Sequence, residues 1–88
     1  MKFGEKVRRK RTNLGWTVEK FIQELDVKVS PSYINKIEMK CEIPSCNLVH
    51  KISKTLKIPL LDLLESAKKE KLEHLKLILD EKYRVKKP

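Results

Sequence analysis

Ser32, Tyr33, Asn35 and Lys36 hold the side chains in this sequence best suited to reading a partner. They follow Ser30-Pro31, which signals a helix start. A serine hydroxyl accepts an orphan backbone N–H at the N-cap, and proline at the next position lacks only an N–H that the helix would not use. Ile34 and Ile37 are three residues apart and share one face of such a helix, which leaves the four polar residues pointing elsewhere. Two apolar anchors beneath an outer surface of small polar, aromatic and basic groups suit the major groove of DNA. The bland alternative is one arm of an αα-hairpin in a small helical bundle.

No other chemistry competes strongly. Cys41, Cys46 and His50 make a C-x4-C-x3-H spacing, but a structural zinc site takes four ligands, commonly from paired C-x2-C knuckles, and those are absent. A loop Cys41 and a small core Cys46 are the simpler expectation. His74 falls in a lysine-rich stretch and reads as solvated. No glycine-rich phosphate loop and no nucleophile elbow occur. Paired acids such as Asp80 and Glu81, or Glu70 and Glu73, alternate with lysine and read as charge pairs along a helix face. The pattern argues against an enzyme and implies neither metal nor cofactor.

The elements that must position Ser32 to Lys36 follow from periodicity. Phe3, Val7, Arg11 and Leu14 lie on one side of a helix over about Lys2 to Asn13, and Gly15 suits its C-terminal turn. An arginine on an apolar stripe needs a partner if it is buried. Thr17 is the N-cap of a second helix, Val18 to Leu25, with Phe21, Ile22 and Leu25 on one face. Asp26 to Val29 connects it to the third helix, Pro31 to Met39, with Val27 or Val29 plugging the core. These two helices and their connector form a helix-turn-helix. Ser45 caps a fourth helix with Val49, Ile52 and Leu56 inward and Cys46, Leu48 and Ser53 flanking. Pro59 or Leu60 opens a fifth, where Leu60, Leu63 and Leu64 complete the core. From Glu65 the composition shifts to lysine, glutamate and leucine. Residues 65–88 therefore read as a separate amphipathic helix with a basic tail, about 28 Å long to Tyr83 at about 1.5 Å per residue. Its narrow stripe of Leu72, Leu75, Ile78, Leu79 and Tyr83 suits a seam, most simply with a second copy of the chain.

The bulk numbers agree with a small polyanion-binding domain. Eighty-eight residues make one domain with a modest core. The net charge of +9 favours DNA, RNA or an anionic membrane. Six basic residues against one glutamate fall between Met1 and Arg11, beside the proposed reading unit. No secretory signal and no membrane-spanning run are expected, which points to a cytoplasmic protein with reduced cysteines.

The run from Phe3 to Leu64 resembles the Cro and phage-repressor class of helix-turn-helix domains, the Xre family. The matching residues are Val7, Arg11, Gly15, Thr17, Phe21, Leu25 and Val27, then Ser30, Tyr33, Ile34, Ile37 and Glu38, then Pro44-Ser45, Ile52, Leu56, Ile58 and Leu63. The resemblance implies an all-α, lambda-repressor-like bundle of five helices over residues 1–64, to which residues 65–88 add an extra C-terminal helix. It implies an ion pair between Arg11 and Glu38, and a regulator that binds double-stranded DNA as a homodimer. Thr17, Lys28, Ser30 and Lys40 would then hold phosphates, and Ser32, Tyr33, Asn35 and Lys36 would meet base edges. The chain departs from the family at Val18, where glutamine is common, at Ile22, where alanine is usual, and at Asp26, which replaces the turn glycine in a connector about two residues longer. The runner-up function is a protein-interaction module, such as the antitoxin or anti-regulator of a two-protein system.

Overall fold

The computed structural model describes residues 2–83, with side chains at all of them except 74 and 78–83. Five helices follow in order: α1 (Phe3–Asn13), α2 (Val18–Leu25), α3 (Pro31–Met39), α4 (Cys46–Leu56) and α5 (Leu60–Tyr83). No strand occurs among the described residues. Polar N-caps open three of the helices. The hydroxyl of Thr17 accepts from the Lys20 N–H at 3.1 Å, that of Ser30 from Tyr33 at 3.1 Å, and that of Ser45 from Leu48 at 3.4 Å. Left-handed residues close α2 and α4. These are Asp26 (φ 56°) and Lys57 (φ 58°). Asp26 thus takes the conformation that a turn glycine would supply, which short polar side chains tolerate better than most.

The core gathers one stripe from each helix. Phe3 and Val7 of α1, Phe21 and Leu25 of α2, Ile34 and Ile37 of α3, Val49, Ile52 and Leu56 of α4, and Leu63 and Ala67 of α5 are all buried. Val27 and Val29 pack on it from the connector, as do Trp16 and Tyr33. Trp16 stacks on Phe21 with ring centroids 6.5 Å apart, so the α1–α2 turn and α2 share one aromatic anchor. Truncating Phe21 to alanine would cost roughly 3–5 kcal/mol, because the closely packed surroundings relax only partly into the cavity.

Three expectations change. Leu14 is 44% exposed, because α1 ends beneath it and Gly15 (φ 75°) turns the chain away before another inward position is reached. Cys46 is exposed rather than a core residue. It opens the first turn of α4, where Leu48 and Val49 take the inward positions. No extra helix begins at residue 65. Residues 65–83 continue α5 without a break, since no glycine or proline interrupts a run of strong helix formers. Ala67 joins the core and Glu70 is half-buried, so the body of the protein extends about one and a half turns further along α5 than the change in composition suggests.

Polar contacts tie α5 to α1. Lys6 pairs with Asp62 at 2.6 Å, and a Glu70 carboxylate oxygen accepts the Phe3 N–H at 2.5 Å. The second contact satisfies one orphan donor at the start of α1 and places negative charge where the helix dipole favours it. Beyond Glu70 the described side chains of α5 are all exposed. Leu72 and Leu75 of the expected seam are among them, at 57% and 51%. The side chains of Ile78, Leu79 and Tyr83 lie outside the described residues.

Candidate nucleic-acid interface

The surface is built around α3. Ile34 and Ile37 are buried, and so is Glu38. At 3.6 residues per turn, the opposite face of the helix carries Ser32, Asn35, Lys36 and Met39, and all four are exposed. Tyr33 lies between the two faces, half-buried, with its ring packed on the core. It therefore buttresses α3 as well as bordering its outer surface.

Met39 is the member of this face that sequence reasoning passed over. It is the last residue of α3 and is 59% exposed. Its signal was present in the spacing, since 32, 35, 36 and 39 follow the i, i+3, i+4, i+7 rule for one helical stripe. An apolar, flexible side chain beside a serine, an asparagine and a lysine adds a contact suited to a thymine methyl group.

The other expected contact residues sit at element ends. Ser30 and Thr17 cap α3 and α2, and both are exposed. Each hydroxyl accepts from its own helix, so its hydrogen remains free to donate to an outside acceptor such as a phosphate oxygen. Lys28 in the connector and Lys40 at the end of α3 are exposed, and neither forms an ion pair among the described residues. Lys20 is engaged with Glu24 at 3.1 Å.

The far end of α3 is fixed by charge. Arg11 donates from Nε to Glu38 Oε2 at 2.8 Å and from one terminal nitrogen to Oε1 at 3.0 Å. Its other terminal nitrogen donates to the Trp16 carbonyl at 2.7 Å. Arg11 is 9% exposed and Glu38 7%. The planar guanidinium matches the carboxylate in both bonds, which fixes direction as well as distance. The partner that a buried Arg11 requires is thus Glu38, and the pair joins α1, the α1–α2 turn and α3.

A close approach at Gly4 supports the same joint. A Cβ placed there would stand 2.3 Å from the Ile37 carbonyl oxygen and 2.9 Å from that of Glu38. Only glycine lets α1 lie this near the last turn of α3. Nothing in the local pattern announced this, because the neighbouring carbonyls belong to residues more than thirty positions away.

Of the alternative chemistry, Cys41 and Cys46 are both free and exposed. Among the described residues no group of three His, Cys, Asp or Glu side chains could hold a metal ion. No described helix is long and apolar enough to cross a membrane. Comparisons with protein-family models, curated proteins and solved structures find no match to this chain.

Proposed function

We propose that this protein is a small sequence-specific binder of double-stranded DNA, acting as a transcriptional regulator that inserts α3 into the major groove. The observation that supports this most is the contrast between the two sides of α3. One side is locked to the body by Ile34, Ile37 and the Arg11–Glu38 pair, while the other presents Ser32, Asn35, Lys36 and Met39 to solvent. Groups meant to discriminate bases must be held in register, and a clamped helix does this better than a loop.

The roles divide by chemistry. Asn35 can meet adenine through its one amide, the oxygen accepting from N6–H and the NH2 donating to N7, and Lys36 can donate to guanine O6 and N7. Ser32 serves either kind of base edge, and Met39 the thymine methyl. Thr17, Ser30, Lys28 and Lys40 reach phosphates, which set the position of the protein without reading sequence. The net charge of +9 raises the encounter rate with any duplex. The test is selection of bound sequences from a randomised duplex pool. A short enriched motif containing adenine and guanine steps is expected, and a pool that remains random after successive rounds would contradict the reading.

A further inference from the structure

We propose that the free part of α5 docks an acidic amphipathic helix of a partner protein. This does not depend on the DNA reading, since it rests on a different face of the molecule. Leu61, Leu72 and Leu75 are exposed on α5, and at about 100° per residue they fall within roughly 60° of one another. That is a narrow apolar seam of the coiled-coil kind.

The charges around the seam decide what can cover it. With Leu72 and Leu75 as the a and d positions of a heptad, Lys71 takes g, Lys69 and Lys76 take e, and Lys68 occupies the preceding d. All four lysines are exposed. The acids are mostly directed away or engaged. Asp62 pairs with Lys6, Glu70 caps α1, and Glu73 lies on the other side of the helix. Glu65 occupies the preceding a position, at the end of the seam next to the body. Leu77 is a single exposed leucine away from it.

A second copy of the chain meets this seam poorly. In a parallel pair, Lys71 of one copy faces Lys76 of the other. In an antiparallel pair that sets Leu72 against Leu75, Lys69 and Lys76 face each other. Either arrangement sets like charges across the seam and a lysine in its centre, both of which weaken pairing. An anionic membrane fits poorly too, because a helix lying in the interface needs a broad apolar face, and here a lysine sits inside a narrow one. A partner helix with leucine-like residues at a and d and glutamates at e and g satisfies both the seam and its flanks. Charge at these positions sets partner choice.

The test uses the full chain and two synthetic probes, helical peptides with leucine at a and d and either glutamate or lysine at e and g. Binding is read by fluorescence anisotropy. The glutamate peptide should bind at least about tenfold tighter than the lysine peptide, and more weakly as salt is raised. The triple variant Lys68→Glu, Lys71→Glu, Lys76→Glu should invert that preference. Leu72→Ser with Leu75→Ser should abolish binding while the helical signal and thermal unfolding of the body persist, because both side chains lie outside the core. Equal affinity for the two peptides, or none for either up to about 100 µM, would overturn the proposal. So would a tight dimer in sedimentation that the two serine substitutions dissociate. Stronger capture by phosphatidylglycerol vesicles than by the glutamate peptide, lost with the same substitutions, would also overturn it.

Discussion

Replacing Glu38 with glutamine leaves a guanidinium that is 9% exposed without its counter-charge, although the Trp16 carbonyl still accepts one of its bonds. Replacing Arg11 with methionine leaves a carboxylate that is 7% exposed with no cation beside it. Breaking one side of a buried pair costs roughly 3–5 kcal/mol, chiefly from the stranded charge. A domain of 88 residues is stable by about 4–13 kcal/mol in all. Each single variant should therefore lose about a quarter or more of its stability, and at about 4–8 °C per kcal/mol the unfolding midpoint should fall by roughly 12 °C or more. The double variant Arg11→Met, Glu38→Leu behaves differently, because two apolar chains of similar size need no counter-charge. What remains is the Trp16 carbonyl, whose lost donor costs about 1–3 kcal/mol. Urea unfolding followed by circular dichroism should place the double variant close to or above the more stable of the singles, with a coupling energy of about 2 kcal/mol or more between the sites. A cost below about 1 kcal/mol for each single variant, or a double variant that loses the sum of the two, would mean that Arg11 and Glu38 are not a coupled buried pair.

Three further outcomes follow from the same structure. Gly4→Ala should destabilise by about 2 kcal/mol or more in thermal unfolding, because the gain in helix preference of up to about 1 kcal/mol is smaller than the cost of forcing backbone carbonyls apart. Lys57→Gly should stabilise by about 0.5–1 kcal/mol in the same assay, since an exposed lysine at φ 58° bears a left-handed strain that glycine does not. In duplex-binding titrations, Lys36→Ala should lose discrimination at one base step worth roughly 1–3 kcal/mol, whereas Lys40→Ala should weaken every sequence alike.

Much of the fold was legible because local chemistry sufficed to state it. Thr17, Ser30 and Ser45 declare their caps by residue type and by the apolar runs that follow. The inward faces of α2, α3 and α4 follow from spacing alone. Arg11 showed its need for a partner by standing on an apolar stripe, and the family resemblance, not the spacing, supplied Glu38. What escaped depended on neighbours far along the chain. The glycine at position 4 matters because of carbonyls at 37 and 38, and Glu70 because of an amide at position 3. Cys46 and Leu14 were misplaced because a helical stripe extrapolated to its last or first turn no longer has the body beneath it. The end of the domain was set too early for a related reason. Composition changes at Glu65, but contact with α1 holds as far as Glu70. On the outer face of α3 the spacing does contain Met39, which the sequence marks only as the end of the helix.

Whether α3 reads duplex DNA is decided by the affinity of the protein for a selected duplex and for its scrambled counterpart across a range of salt. With about 3–5 phosphate contacts per bound subunit, log K should fall against log salt with a slope of roughly −3 to −4.5 per subunit on both duplexes. The selected duplex should stay at least about a thousandfold tighter throughout, since base contacts add to the phosphate term. Equal affinities for the two duplexes, or binding indifferent to salt, would mean that α3 does not read DNA sequence.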